Sequence, residues 1–139
     1  MSTNGDALVT PETVSKEVLR AMFEAAYMET RLDNDGDLVV SERYNVWVLP
    51  SPGGSYIRLM APFRSAESAD ADAKLRFVNT VNQQLIMVCA YVGDGGAFFF
   101  EHYITIEGGV TKKNIVLTVR KFGTLLAKLG EFDHDGVLE

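Results

Sequence analysis

The sequence contains very little cysteine: Cys89 is the one cysteine among 139 residues. A lone thiol excludes an intramolecular disulfide framework, and it suits a compartment whose thiols are kept reduced. The first residues contain neither the basic segment nor the apolar segment of a signal peptide, and no apolar run approaches the roughly 18 residues expected of a membrane span. We therefore expect a cytoplasmic protein that does not interact with membranes.

Positive charge is also scarce in this chain. The sequence has 13 Lys and Arg residues and 19 Asp and Glu residues, which gives a net charge of -6. Because nucleic acid and anionic lipid repel a negatively charged protein, we expect neither as a partner. A chain of this length folds around one core, so we expect residues 1–139 to form a single domain with flexible ends at 1–9 and 131–139.

Periodic apolar residues and turn signals predict three helices and five strands. The first helix is predicted to run from the Thr10-Pro11-Glu12 cap to about Tyr27. The second is predicted over 65–85, and the third from Thr111 to Gly130. The strands are predicted at 28–32, 38–49, 56–61, 86–92 and 97–106. This α-β-β-β-α-β-β-α order predicts a two-layer α+β fold, with a five-stranded antiparallel sheet and helices mainly on one face.

Two glycine-containing turns predict hairpins, Asp35-Gly36 in the first and Asp94-Gly95 in the second. The register of the second hairpin depends on the length of its turn. A two-residue turn places Cys89 opposite Phe100, with His102 as a diagonal neighbour. A three-residue turn places Cys89 and His102 on opposite faces of the sheet. The sequence leaves both registers open.

Cys89 and His102 form the one pair that could support nucleophilic catalysis. No third residue is visible to orient the histidine, and Glu101 beside it points to the other face by strand alternation. We therefore predict a packed thiol, a hydrogen-bonded histidine, no catalytic residues and no enzymatic activity.

Asp33, Asp35 and Asp37 have the spacing of a calcium-binding loop. If the loop began at Arg31, Glu42 would occupy the twelfth position of an EF-hand. A cation at the first ligand position opposes calcium binding, and the flanking segments have the pattern of strands, not helices. We therefore predict a structural turn, with no metal and no cofactor.

Several short motifs, taken in their order, resemble the YbjN family of bacterial sensory transduction regulators. They are Val9-Thr10-Pro11-Glu12, Asp35-Gly36-Asp37, the Asn79 and Asn82 pair near the end of the second helix, and Gly93-Asp94-Gly95-Gly96 followed by 98–106. The similarity covers roughly Leu8 to Leu129. The family resembles type III secretion chaperones in fold. The resemblance implies a sheet ordered 1-2-3-5-4, dimerisation and binding of protein segments, and it carries no catalytic residues.

Asn79 and Asn82 lie one helical turn apart. Their amides could contact a ligand, but such groups near a helix end more often bond to nearby backbone. We therefore predict a structural role for both.

The strands are apolar on both faces, although one helix layer can cover only one of them. Trp47 alternates with Arg43 and Asn45, so we expect it to point away from the helices. Exposed aromatic, methionine and arginine side chains are typical of a contact surface. The predicted contact residues are Arg43, Trp47, Tyr56, Arg58, Met60, Phe99 and Tyr103. The alternative is that the third helix crosses to this face and buries it.

We therefore predict a non-enzymatic protein-binding or chaperone-like regulatory module that forms a homodimer through the uncovered sheet face and has a protein or peptide as a further partner. The alternative is a small-molecule sensor. In that case an apolar cavity between the sheet and the helices would be lined by Phe98 and Phe100, with His102 or an asparagine as the polar anchor.

Overall fold

The structure of the chain is a computed structural model that describes residues 7–139. Within this range there are three α-helices: α1 (Lys16–Ala25), α2 (Ala71–Gln84) and α3 (Lys112–Leu126), followed by a 3-10 helix at Leu129–Phe132. The strands are β1 (Leu8–Val9), β2 (Glu29–Leu32), β3 (Leu38–Ser41), β4 (Asn45–Pro50), β5 (Tyr56–Phe63), β6 (Cys89–Val92), β7 (Phe98–Thr105) and β8 (Val110–Thr111). In the described residues, no helix is both long and apolar enough to cross a membrane.

The main sheet of the described residues has six strands in the order β2-β3-β4-β5-β7-β6, and all of its neighbours are antiparallel. A second, two-stranded sheet pairs β1 with β8. The predicted α+β class and antiparallel sheet are confirmed. The predicted five-stranded sheet is wrong in its strand count, because one predicted strand is a hairpin.

That hairpin lies in the predicted strand 38–49, which forms β3 and β4. Ser41 pairs with Asn45, and the amide of Glu42 donates to the carbonyl of Tyr44 at 3.1 Å. The polar segment between the valines makes this turn, and α3 approaches it closely at Gly123. A Cβ at that position would lie 2.9 Å from Cγ of Glu42. The strand order is therefore 1-2-3-5-4 with the second strand doubled.

The helices cover one face of the main sheet, which we call the inner face. The sheet residues of this face that belong to the buried core are Leu38, Val40, Val46, Val48, Ile57, Leu59, Ala61, Ala90, Phe98, Phe100 and Ile104. Ile115, Val119 and Phe122 of α3 belong to the same core cluster. The alternative in which the third helix crosses to the other face is therefore wrong.

Two of the three helix starts differ from the predicted ones. The side chain of Ser15, five residues after Thr10, accepts from the amide of Val18 at 3.0 Å and caps α1. Thr10 forms a turn instead, and Asp70 caps α2. Thr111 caps α3 as predicted. Polar capping residues recur along this chain, so composition alone did not distinguish the cap from a turn.

The two hairpins at the ends of the main sheet, β2–β3 and β6–β7, are built alike. Each has a three-residue loop ending in a left-handed glycine, Gly36 (φ 83°) or Gly96 (φ 87°). A lysine of the preceding helix donates to that glycine's carbonyl, Lys16 at 2.7 Å and Lys74 at 3.0 Å. The chain thus fixes each hairpin against its own helix.

The described parts of both chain ends pack against the domain, although the sequence predicts flexible ends. Residues 1–6 lie outside the described residues, but Val9 is fully buried in β1. At the other end Val137 is fully buried, and its carbonyl accepts from the amide of Ala66 at 2.7 Å. The acidic composition of 131–139 gave no indication that Val137 packs into the core.

Candidate interface on the outer sheet face

The face of the main sheet that points away from the helices is called here the outer face. Register partners place one row of its side chains across the whole sheet: Arg31, Val39, Trp47, Met60, Glu101 and Cys89. The flanking rows are Leu49, Arg58 and Tyr103 on one side, and Pro62, Phe99 and Tyr91 on the other. None of these residues belongs to the hydrophobic core that the helices share with the inner face in residues 7–139.

Trp47 points to the outer face, as predicted, and its ring is held by two polar neighbours. The indole Nε1 donates to Oδ2 of Asp33 at 2.8 Å. The guanidinium carbon of Arg31 lies 6.0 Å from the ring centroid, within range of a cation–π contact. Val39 lies between Arg31 and Trp47 in the register and is fully buried. The half-buried indole is therefore presented in a fixed orientation.

The Asp33 turn has a structural role in this arrangement. Oδ1 of Asp33 accepts from the amides of Asp35 (3.0 Å) and Asp37 (2.8 Å). The hydrogen bond from Trp47, followed by that from the Asp37 backbone, lowers the pKa of the Asp33 carboxyl. The carboxylates of Asp33, Asp35 and Asp37 lie within 4.8 Å of one another. Both Asp33 oxygens accept N–H donors, so this carboxylate closes the turn and holds the indole, and the absence of a metal here stays a prediction.

A second cluster lies on the other half of the outer face. Nε of Arg58 donates to the carboxylate of Glu101, whose side chain is only 6% exposed. Tyr91 stacks on Phe99 with centroids 5.4 Å apart, and its hydroxyl lies 3.5 Å from Nη2 of Arg58. Burial, with a further contribution from Glu101, raises the pKa of Tyr91. Sequence reasoning missed Glu101 and Tyr91 as site residues, although Glu101 is the one acid within an aromatic strand.

The remaining predicted contact residues divide into those on the outer face and one outside it. Tyr56 and Tyr103 form an edge-to-face pair at 5.3 Å, and Met60 lies between Trp47 and Glu101 in the register. Arg43 does not lie on the face, because the strand break places it in the β3–β4 turn. A depression of about 310 Å³ beside Trp47 is lined by Tyr44, Asn45, Trp47, Pro62, Phe63 and Arg64.

Comparison with known proteins agrees with this architecture. The family model of YbjN, described as a putative bacterial sensory transduction regulator, matches residues 15–133. The chain belongs to the YbjN family. Its fold is also similar to the crystal structure of YbjN, a putative transcription regulator from E. coli, with a TM-score of 0.78 and 16% identity over 96% of this chain and 99% of that chain. No curated protein sequence matches the chain. The resemblance inferred from the short motifs is confirmed.

The description of the YbjN family is that of a regulator and not of an enzyme. The three-residue turn pairs Cys89 with Glu101, which places the thiol on the outer face, whereas His102 pairs with Leu59 on the inner face. The prediction of a packed thiol is wrong, because Cys89 is exposed on an edge strand. Burial lowers the pKa of His102. The one catalytic pair suggested by the sequence is therefore not formed.

The two asparagines of the family-like motif differ in their surroundings. The side chain of Asn82 forms a two-way pair with the backbone of Ala90, accepting from its amide at 2.8 Å and donating to its carbonyl at 3.1 Å. This confirms the predicted structural role for Asn82. The contact occupies polar groups on the free side of β6, which is an edge strand. Asn79 is exposed on α2.

The sequence predicts, as an alternative, a cavity between the sheet and the helices lined by Phe98 and Phe100. In the structure, packed side chains occupy this region. Both side chains are fully buried, and Phe77 of α2 lies edge-on to each ring, with centroids 5.1 and 6.3 Å apart. The inner face of this YbjN-family protein is therefore close-packed at the predicted ligand position.

Proposed function

We propose that this YbjN-family chain is a cytoplasmic, non-enzymatic regulatory module that binds protein and self-associates as a homodimer through its outer face. The observation that carries the proposal is the row of side chains from Arg31 to Cys89, which crosses the whole main sheet on the side away from the helices. The description of the family as a putative sensory transduction regulator supports it.

The composition of the outer face supports a contact role. Interface cores are enriched in aromatic residues, methionine and arginine, and binding energy concentrates in tryptophan, tyrosine and arginine. The face combines Trp47, Met60, Phe99 and Tyr103 with Arg58. The depression beside Trp47 offers a recess for a partner side chain. These features favour a protein surface as the occupant.

The electrostatics of the outer face also suit burial. An unpaired charge is costly to remove from water, whereas a charge that already has a partner loses less. The main acidic group of the face, Glu101, is already buried beside Arg58 within the same chain. A second copy can therefore cover this cluster without leaving the carboxylate unpaired.

Association through the face is favoured over association through a sheet edge. The edge strands β2 and β6 have only four residues each. Asn82 also binds the free side of β6 at Ala90. Short or covered edge strands oppose pairing with another chain. Packing of two outer faces remains the better supported geometry.

Sedimentation velocity at micromolar concentration tests the proposal. We expect the unmodified chain to sediment as a dimer and Tyr103→Glu as a monomer, because the substitution places a charge among the apolar side chains of the contact. Tyr103 is 50% exposed, so the variant should fold normally. Leu75→Glu is the matched control, since Leu75 is 57% exposed but lies on α2. A strictly monomeric unmodified chain, or a dimer that Tyr103→Glu leaves intact, would contradict the proposal.

A further inference from the structure

A groove between α1 and α3, on the helix side of the domain, has a volume of about 380 Å³. Its α1 side consists of Ala21, Met22, Ala25 and Ala26, and its α3 side consists of Lys112, Lys113, Val116, Leu117 and Arg120. Each set recurs at helical spacing, so each helix turns one continuous stripe toward the groove. The small alanines of α1 leave open the space that larger side chains would fill.

The groove combines an apolar floor with a positive rim. Leu117 is 50% exposed, a large apolar side chain with no hydrophobic cover on its outer half. Among the described residues that line the groove, three carry a positive charge and none carries a negative charge. The whole chain has a net charge of -6, so the charge of this lining is opposite in sign to that of the protein as a whole.

Arg120 is fixed at one end of this groove. Its Nη2 donates to the carbonyl of Ala26 at 3.0 Å, which directs the guanidinium to the last turn of α1. Neither Arg120 nor Lys113 forms an ion pair with a carboxylate of residues 7–139. The remaining guanidinium donors and the lysine ammonium can therefore bind an external anion, and a guanidinium matches the geometry of carboxylate and phosphate groups.

From this arrangement we propose that the α1–α3 groove binds a small amphipathic anion, an alkyl chain that ends in a carboxylate or phosphate group. The chain lies on the alanines, Val116 and Leu117, and the head group binds Lys113 at the end of the groove opposite Arg120. The volume lies within the range of small-molecule sites. This site is separate from the outer face, and it would give the regulatory module a ligand to sense.

Titration of the isotope-labelled full chain with octanoate and with octyl phosphate, followed by amide chemical shifts, tests the proposal. We expect saturable shifts at Ala21, Ala25, Val116 and Leu117 with at least one of the two probes. Octanol should bind about tenfold more weakly or worse, since it cannot form a charge-assisted hydrogen bond. Acetate and inorganic phosphate supply the head group alone and should also bind weakly. The tighter of the two amphiphiles identifies the preferred head group.

Matched variants separate the groove from other surfaces. Ala25→Leu should fill the groove and weaken octanoate binding about tenfold or more, whereas Ala71→Leu, at an exposed alanine of α2, should not. Lys113→Gln should weaken octanoate but not octanol, and Lys121→Gln, outside the groove on the same helix, should change neither. Unfolding midpoints report whether each variant is folded.

Three results would overturn the inference: no saturable shifts in the groove, equal affinities for octanoate and octanol, or octanoate binding that Ala25→Leu leaves unchanged. Shifts confined to the outer face would overturn it as well, since they would place the amphiphile on the other surface. Tyr103→Glu should leave octanoate binding intact. Failure of one proposal is therefore distinguishable from failure of the other.

Discussion

The two faces of the main sheet are made from the same strands but differ in chemistry. On the inner face, Val48, Leu59 and Phe100 are fully buried beneath helices, and the fully buried side chains are aliphatic or phenylalanine. On the outer face, aromatic rings, Met60 and Arg58 remain partly exposed, and Glu101 is buried beside Arg58. The comparison shows that strand alternation separates the residues that hold the fold from those available for recognition.

The largest expected effect is on the inner face. Phe100→Ala should lower the free energy of unfolding by about 3–5 kcal/mol, because it opens a cavity beside Phe63 and Phe77. Phe99→Ala changes the neighbouring residue of the same strand, which is half-buried on the outer face, and should cost about 1–2 kcal/mol. Chemical denaturation at one fixed protein concentration measures both. Equal losses would remove the distinction between the faces.

The next effect is expected at Trp47. If it anchors the dimer, Trp47→Ala should weaken association by about 2 kcal/mol or more and reduce folding stability less. Trp47→Phe keeps most of the apolar ring but loses the hydrogen bond to Asp33, so it should retain most of the association. Sedimentation of both variants measures the loss of association, and denaturation measures the loss of folding stability. A large loss of folding stability with unchanged self-association would end the interface role of this residue.

A smaller effect is expected from the ion pair of the outer face. Arg58→Met leaves the buried carboxylate of Glu101 without its partner and should cost about 1–3 kcal/mol of folding stability. Arg58→Met combined with Glu101→Gln removes the ionised group and should recover part of that loss. Denaturation of the two variants and of Glu101→Gln completes the cycle. A double variant that shows the full sum of the single losses would mean that the two groups are not coupled.

The smallest effect is a pH dependence on the inner face. Burial lowers the pKa of His102 from its ordinary 6.5, so the unfolded chain binds a proton that the folded chain resists. Stability from this group is therefore present above that pH and declines as the pH falls below it. His102→Gln should flatten the dependence of unfolding free energy on pH in this range. His134→Gln, at an exposed histidine, should not, and an equal response in both variants would exclude His102 as the cause.

The outer orientation of Trp47 was predictable, although the bounds of its strand were not. The single predicted strand 38–49 is two strands in the structure. The polar segment between Val40 and Val46 still permits a strand, so the turn in it was missed. Ser41 pairs with Asn45 across that turn, an even separation in sequence, so side chains that alternated in one strand still alternate in two. The predicted direction of the Trp47 side chain is therefore correct, although the turn between β3 and β4 was missed. Arg43, inside the turn, did not keep its predicted place.

Features that depend on distant register or on helix packing could not be predicted. Cys89 occupies the outer face because the second hairpin has a three-residue loop, and its glycine-rich turn also permitted a two-residue one. The contact of Arg31 with Trp47 requires the register of three strands. The groove beside Ala21 and Ala25 depends on how α1 and α3 pack, which periodicity within one helix does not specify.

The most direct test of the outer-face interface uses Trp47 itself, the only tryptophan of the sequence. Acrylamide quenching of its fluorescence should be measured during dilution from high micromolar to nanomolar concentration, beside sedimentation over the same range. We predict that quenching increases on dilution as the dimer dissociates, and that Tyr103→Glu is strongly quenched at every concentration. Quenching that does not change with concentration, in a chain that sediments as a monomer throughout, would contradict the interface.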